Sequence, residues 1–244
     1  MLNQKSDFMK SSHLKPICII AARGGSKGVP CKNIRKIGGV PLIAHTVKSA
    51  LNANIFSSVV VSTDDPTISK ISKQHGADVP FLRPKKLATD NASMTDVLLH
   101  AITNLRQLNY EFDTVVNRDC TVPFIDKKDI RGILNSYHSN PCNLACAVYK
   151  QHHNPYFNMM EIKHGKYLDF SKKLKTSISG RQNAPIVYQL NGLFVLNVKN
   201  FLKTKTFYSS KTIPYEISPE HGFMIDTEFE FQIANMIATK KIKI

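Results

Sequence analysis

Short, strongly apolar runs alternate with stretches of helical periodicity along this chain, and the alternation is what most limits its fold. The β-branched runs at 17–20, 58–63 and 113–117 have the length and continuous apolar character of fully buried strands. Between the first two, the stretch 42–51 carries apolar residues at helical spacing. Strands that alternate with helices predict an α/β fold of three layers, with a mostly parallel sheet between helices.

Two later helices are predicted from capping residues and apolar periodicity. One is expected to begin at Asn91 or Ser93, and the last to begin at Asp226 or Thr227. Four apolar residues of the last helix are expected to face the core: Phe229, Ile233, Met236 and Ile237.

One stretch interrupts the alternation. Residues from about 150 to 190 show no clear helix and contain Tyr, Phe and Met side chains that a core does not cover. We therefore predict one domain over residues 16–244 that follows a flexible tail at 1–15. Within this domain, the 150–190 segment is expected to protrude and to form a subunit interface.

Composition and net charge limit the kinds of partner that the chain is expected to bind. The chain has 244 residues, of which 42% are hydrophobic, and its 33 Lys and Arg against 18 Asp and Glu give a net charge of +15. Such a charge favours an acidic ligand. The basic residues are dispersed, however, and no basic run is interleaved with aromatic residues that could stack on bases. We expect a phosphate-binding cleft and no nucleic-acid partner.

Cysteine usage and hydropathy indicate the compartment. The five cysteines are an odd number without a CxxC pair, which argues against a disulfide framework and a zinc site and favours a reducing compartment. The first sixteen residues lack the apolar stretch of a signal peptide. No later run reaches the roughly 18 apolar residues of a membrane span. A soluble, cytoplasmic protein without a membrane partner is expected.

A glycine-rich stretch follows the first strand. It reads AARGGSKGVPCKN, from Ala21 to Asn33, and places three glycines beside Arg23 and Lys27. Such a loop can turn tightly and bring backbone N–H groups and positive charge close to a phosphate chain. Its spacing matches neither the Walker A pattern nor GxGxxG. From the loop alone, a phosphate site and an ordinary tight turn both remain open.

Further along the chain stand STDD, LRP, a TVP turn and IDTE, in this order. With the loop, these motifs resemble the acylneuraminate cytidylyltransferase family, the CMP-sialic acid synthetases and their relatives for legionaminic, pseudaminic and ketodeoxyoctonic acids. The resemblance extends from Ile17 to the last helix. It implies a Rossmann-like nucleotidyltransferase fold and a homodimer whose protruding segment reaches over the neighbour's site. The implied reaction transfers CMP from CTP to the anomeric hydroxyl of a nine-carbon keto sugar acid and releases pyrophosphate.

The resemblance also assigns roles to single residues. Arg23 and Lys27 would be catalytic cations on the triphosphate, and Asp226 of IDTE would be a carboxylate that binds Mg²⁺. Besides these two cations, the nucleotide pocket would include Ala22, Gly24, Ser26, Asn33, Arg83, Ser93 and Asp119. The sugar acid would lie against four residues of GRQNAPIVYQLNG: Arg181, Gln182, Gln189 and Asn191.

Four positions depart from the family pattern, one of which is Cys31 in place of a small residue of the loop. Met224 stands where sialic acid enzymes commonly carry an aspartate, and Asp119 stands where they often carry glutamine. We hypothesise that Asp119 supplies the missing metal carboxylate. Gln189 replaces a basic residue, which leaves the acceptor open between sialic, legionaminic, pseudaminic and ketodeoxyoctonic acids.

A different class of function also remains open, namely a basic RNA-binding or regulatory protein that has lost catalysis. Salt dependence separates the two classes. Nucleic-acid binding should weaken steeply with salt, whereas pyrophosphate release from CTP should require Mg²⁺ and survive moderate salt.

Overall fold

A computed structural model describes residues 14–176, 179–208 and 211–241. Ten strands lie in these ranges: β1 (Ile17–Ala21), β2 (Lys36–Ile37), β3 (Val40–Pro41), β4 (Val59–Ser62), β5 (Thr114–Asp119), β6 (Leu144–Lys150), β7 (Met160–Lys163), β8 (Tyr167–Phe170), β9 (Tyr188–Asn197) and β10 (Thr212–Glu216). The predicted flexible tail falls almost entirely outside the described residues.

Six of the strands form the central sheet, in the spatial order β10-β6-β9-β5-β1-β4. β1 pairs in parallel with β4 and β5, and β10 pairs in parallel with β6. Only β9 runs antiparallel, between β5 and β6. The predicted mostly parallel sheet is therefore confirmed.

Helices cover both faces of this sheet. They are α1 (Leu42–Ala53), α2 (Pro66–Gln74), α3 (Met94–Gln107), α4 (Lys127–Ser139), α5 (Val198–Thr204) and α6 (Glu228–Ala238). Alternate residues of β1 point to opposite faces. Ile17 and Ile19 pack in the cluster that holds α3 and α5, while Cys18 and Ile20 pack in the cluster that holds α1 and α2. The predicted three-layer α/β/α arrangement is confirmed. No helix in the described ranges is long and apolar enough to cross a membrane.

Capping side chains decide where the predicted helices begin. Ser93, and not Asn91, caps α3, because its hydroxyl accepts the N–H of Asp96 at 3.1 Å. Thr227 caps α6 in a capping box with Glu230. In each helix the capping residue is therefore the second of the two candidates in the sequence, and the helix begins one residue later.

The predicted inward face of α6 is wrong. Phe231 and Ala234 are buried, in a cluster with Ile37 of β2, whereas Phe229 is 71% exposed and Met236 is 40% exposed. The apolar residues of α6 form two stripes that are offset around the helix axis. The β2–β3 hairpin and the end of the glycine-rich loop cover the stripe that contains Phe231 and Ala234.

The segment between β6 and β9 contains two strands that do not join the central sheet. β7 and β8 pair with each other as a separate two-stranded sheet. Their apolar side chains lie largely exposed, with Ile162 at 69% and its cross-strand partner Leu168 at 66%. A pair of apolar side chains this exposed is suited to being covered by another protein surface.

β10 was not predicted from the sequence. This edge strand contains Pro214, and proline normally argues against a strand. A parallel edge strand tolerates it because one side of the strand makes no ladder hydrogen bonds.

Candidate functional site

A cleft of about 340 Å³ opens at the carboxyl ends of β1 and β5. Open α/β sheets bind ligands at this edge. Its walls are formed by Ala21, Arg23, Ser26, Lys32, Asn33, Arg83, Leu87, Thr89, Asp90, Ala92, Met94, Val97, Asp119, Cys120, Thr121 and Asp226. Six of the residues predicted for the site therefore come together here: Arg23, Ser26, Asn33, Arg83, Asp119 and Asp226.

The glycine-rich loop is fixed at both ends by side chains. The buried Asn33 amide donates to the carbonyl oxygen of Arg23 at 2.9 Å. The N–H of Gly24 donates to Asp64 Oδ1 at 3.0 Å, and a side chain at Gly24 would press against Asp65. Gly24 and Asn33 thus hold the loop in shape, so that Arg23 projects into the cleft.

The neighbouring carboxylates of Asp64 and Asp65 have different hydrogen-bond partners. Asp65 caps α2 by accepting the N–H groups of Thr67 and Ile68, at 2.7 and 3.0 Å. Asp64 supports the glycine-rich loop and lies 4.0 Å from the guanidinium of Arg83. They are therefore structural supports of the site.

Two cations of the loop share one carboxylate. Arg23 Nη2 lies 2.8 Å from Asp90 Oδ1, and Lys27 Nζ lies 2.5 Å from Asp90 Oδ2. These contacts, first with Lys27 and then with Arg23, hold the pKa of Asp90 below its ordinary value. Asp90 was not predicted as a site residue, because it lies in an irregular segment outside any recognised motif.

Arg83 is a buried cation on the cleft wall. Its backbone N–H donates to the carbonyl oxygen of Thr63 at 2.7 Å, which places it beside the end of β4. Burial lowers the pKa of Arg83, Asp64 opposes that shift, and Arg23 adds to it. Its buried Nε has no hydrogen-bond partner among the described residues. A buried donor without a partner suits an anionic ligand.

The turn after β5 is held by a buried arginine. Arg118 is fully buried within β5, and burial lowers its pKa to about 10. Its guanidinium donates to the carbonyl oxygens of Asp119 and Val122, at 2.8 and 2.5 Å. Asp119 in turn accepts the N–H of Thr121 at 2.9 Å. Arg118 therefore fixes the backbone that holds Asp119 at the cleft wall.

Lys32 is a cleft residue that sequence reasoning missed. It is only 7% exposed, and its ammonium donates to the carbonyl oxygen of Ile225 at 2.5 Å and to Asp226 Oδ1 at 3.2 Å. Asp226 itself is exposed and directly precedes Thr227, the capping residue of α6. Lys32 directly precedes Asn33, which was predicted for the site, and this position was the only sign of Lys32 in the sequence.

Three other predicted nucleotide residues lie at the edge of the cleft. Ala22 is buried behind its wall, and Ser93 is exposed, with its hydroxyl engaged in capping α3 between two wall residues. Lys27 is largely exposed and reaches the cleft through its contact with Asp90.

The residues predicted for the sugar acid lie outside the cleft walls. Arg181 and Gln182 are exposed on a short helical turn of the segment between β6 and β9. Gln189 lies on β9 and accepts a hydrogen bond from Gln151. Asn191 is buried, and its amide donates to the carbonyl oxygen of Gly222 at 2.7 Å. In this chain by itself, Asn191 supports the segment that leads to Asp226.

A second acidic group lies at the start of α4. Ligand atoms of Asp126, Asp129 and His221 are all within 4.8 Å of one another, close enough to hold one metal ion. Asp126 and Asp129 already form a capping box, and His221 Nδ1 lies 2.7 Å from Asp129 Oδ2. Asp119 and Asp226 differ from this group because they line the cleft.

All five cysteines are free thiols. Four are buried, and Cys31 is exposed at the end of the glycine-rich loop. Burial raises the pKa of Cys18 to about 12, so this thiol stays protonated and behaves as an apolar core group.

Comparisons with known proteins agree with the geometry. Post-translational flagellin modification protein B of Campylobacter coli is 31% identical over 229 residues, which cover 92% of this chain and 95% of that protein. CMP-N,N'-diacetyllegionaminic acid synthase of Campylobacter jejuni is 30% identical over 230 residues, with 92% and 95% covered.

The fold also matches a solved structure of CMP:2-keto-3-deoxy-manno-octonic acid synthetase complexed with CTP. The TM-score is 0.69 at 17% identity, and the match covers 93% of this chain and all of the other. A family model described as cytidylyltransferase matches residues 17–237. With the cleft at the strand ends and the match over nearly its whole length, this chain belongs to the cytidylyltransferase family.

Proposed function

We propose that this cytidylyltransferase transfers CMP from CTP to the anomeric hydroxyl of a nonulosonic acid and releases pyrophosphate. The proposal rests on one convergence in the cleft, where Arg23, Lys32 and Arg83 meet the carboxylates of Asp119 and Asp226. Nucleotidyl transfer requires mainly positioning and charge neutralisation. Cations for phosphate oxygens and carboxylates for a divalent ion supply both.

The leaving pyrophosphate is assigned to the glycine-rich loop. Arg23 and Lys27 present two positive charges on a short loop whose backbone is fixed by Asn33 and Asp64. Guanidinium and ammonium groups held in this way bind phosphate oxygens without reorganising at the moment of reaction. Both would be catalytic residues, since they stabilise charge that develops on the leaving group.

The remainder of the nucleotide is assigned to other residues in and around the cleft. The Nε of Arg83, for which the described residues supply no partner, offers a hydrogen bond to an anion or to a base carbonyl. Ser26 lines the same space, and Ala22 and Ser93 border it. No side chain beside an evident general base points to a covalent intermediate, so we propose direct attack by the sugar hydroxyl on the α-phosphorus.

We propose Mg²⁺ as the cofactor, held by Asp119 and Asp226. Both carboxylates line the cleft, and carboxylate oxygens are the ligands that Mg²⁺ prefers. When bound, the ion neutralises charge on phosphate oxygens. The protein's own part is to hold the carboxylates in place. Arg118 fixes the backbone at Asp119, and Lys32 contacts Asp226.

The acceptor acid is assigned to the protruding segment. Arg181 can pair with a sugar carboxylate through two parallel hydrogen bonds, and Gln182 can bind its hydroxyl groups. Gln189 and Asn191 are assigned to the same subsite. Because Arg181 and Gln182 lie outside the cleft walls, we propose that a homodimer brings them to the neighbour's nucleotide.

Two features support this assembly and its place in the cell. The exposed Ile162 and Leu168 pair gives the β7–β8 hairpin an apolar surface for a second subunit. The free thiols fit a reducing compartment, and we propose the cytoplasm. CTP and the sugar acid are the proposed partners, without nucleic acid or membrane.

A pyrophosphate-release assay tests the proposed function. The enzyme is supplied with CTP, Mg²⁺ and in turn sialic, legionaminic, pseudaminic and ketodeoxyoctonic acid. We expect release with at least one of the nine-carbon acids, and loss of that release on chelation of the metal.

Two variants sharpen the test. Asp226→Asn and Asp119→Asn should each raise the Mg²⁺ concentration needed for half-maximal rate. If Asp119→Asn lowered the rate without changing the metal requirement, Asp119 would not be a metal carboxylate. If no acid supported release, and RNA bound with a steep salt dependence, the nucleic-acid alternative would replace the enzyme.

A further inference from the structure

One acidic side chain occupies the position where the structure concentrates positive charge. Each oxygen of the Asp90 carboxylate contacts a different cation, Arg23 at 2.8 Å and Lys27 at 2.5 Å. Asp90 belongs to the irregular stretch between the turn at Lys85–Leu87 and the start of α3. A carboxylate bridging two cations of a glycine-rich loop imitates the way a phosphate group would be held there.

The contact depends on charge and not on burial. The side chain of Asp90 is 42% exposed and that of Lys27 is 82% exposed. Within the described residues, the ion pairs of Arg23 and of Lys27 are both with Asp90. The nearby acids are engaged elsewhere, because Asp64 accepts the N–H of Gly24 and Asp65 caps α2. Asp90 is therefore the partner that a phosphate chain must displace from both cations.

We propose that Asp90 is a positioning residue and an internal competitor, which holds Arg23 and Lys27 when phosphates are absent and exchanges with the phosphate chain during turnover. The inference rests on the proposed function, in which these two cations bind the departing pyrophosphate. Since any ligand of the two cations must displace Asp90, the carboxylate weakens their binding of both CTP and pyrophosphate by the same factor. It also gives the cations a partner as pyrophosphate leaves, which promotes product release.

The proposal predicts a gain of affinity when the carboxylate is removed. Asp90→Asn keeps the size of the side chain and removes its charge. Because exposed ion pairs are weak, we expect inorganic pyrophosphate to bind about three- to tenfold more tightly to this variant. Loss of structure could only weaken binding, so a gain separates competition from a structural role. CMP lacks the phosphates assigned to the two cations, and its affinity should change by less than about twofold.

A matched control lies on the same surface. Asp96 is also exposed and negatively charged, but its carboxylate accepts the hydroxyl of Ser93 at 2.7 Å. Asp96→Asn removes the same charge six positions away along the chain. If the effect arises from the specific contacts of Asp90, pyrophosphate affinity of Asp96→Asn should stay at the wild-type value.

Titration calorimetry with inorganic pyrophosphate and CMP, at one fixed Mg²⁺ concentration, measures these affinities without turnover. Asp90→Ser serves as a second variant should Asp90→Asn fold poorly. Unchanged or weaker pyrophosphate binding in the variants, an equal effect in Asp96→Asn, or equal tightening of CMP would overturn the proposal. Failure of the proposed function is a separate outcome, since it appears as absent turnover of the wild-type enzyme with every acid.

Discussion

Replacing Gly28 by alanine should displace Asp226 and thereby test whether the glycine-rich loop and this carboxylate act together. A Cβ on Gly28 would lie 2.0 Å from the carbonyl oxygen of Asp226, about 1 Å closer than real Cβ atoms approach another atom. The obstacle is backbone, so it cannot be relieved by a change of rotamer. Either the loop or the segment that carries Asp226 must retreat by about that distance.

Such a displacement should act mainly on the rate. A shift of about 1 Å in a catalytic group lowers kcat by roughly 10²-fold. Overpacking of this kind costs about 1–3 kcal/mol of stability. A folded variant with a strongly reduced kcat is therefore the expected result, measured by initial rates of pyrophosphate release beside a thermal melt.

The chain offers a matched control in the same loop. A Cβ on Gly25 would meet nothing within 4 Å. Gly25→Ala adds the same methyl group without touching Asp226, and its kcat should exceed that of Gly28→Ala by at least about tenfold. The reasoning fails if Gly28→Ala keeps kcat within about twofold of wild type, or if both variants lose the same activity.

Three further predictions concern Lys32, His100 and the exposed pair on the β7–β8 hairpin. Lys32→Met removes the buried ammonium beside Asp226 and should lower kcat at least about tenfold, by initial rates; an unchanged rate would show that this contact is dispensable. Burial, with two nearby cations, lowers the pKa of His100. The unfolded chain therefore binds more protons below about pH 6.5, so stability should fall as pH drops below that value. Urea unfolding at pH 5 and 7.5 should show this, and His100→Gln should flatten it. The double change Ile162→Ser and Leu168→Ser should convert a dimer into folded monomers in sedimentation velocity, whereas an unaffected dimer would place the interface elsewhere.

The central sheet was predictable because its strands are buried on both faces. A run such as Ile17, Cys18, Ile19 and Ile20 must be apolar throughout when helices cover both sides. β10 was not predictable, since an edge strand with Pro214 lacks that signature. Local composition therefore identifies central strands better than edges.

The buried face of the last helix could not be predicted, for a different reason. Phe229, Ile233 and Met236 form one apolar stripe at helical spacing, and Phe231, Ala234 and Ala238 form another. Periodicity alone cannot choose between them. The choice is made by the cluster around Ile37, a tertiary contact that becomes visible only once the chain is folded.

Within the site, motifs identified the residues that line the strand ends but not their neighbours. Arg23 and Asp119 follow buried strands, so their meeting could be expected from topology. Asp90 lies in an irregular segment, and its contact with two cations depends on how that segment folds over the loop. The roles of the individual site residues remain predictions, which the assays described above test.

The pairing of β6 with β9 has an evolutionary consequence. Lys150 lies opposite Tyr188, so the chain leaves the sheet and returns to it at neighbouring positions. The intervening segment is thus a long insertion into what is otherwise a hairpin, and lengthening a loop whose ends are already together costs little. Selection can therefore change this insertion, to which we assign the acceptor subsite and the dimer contact, while the central sheet keeps its strand pairing.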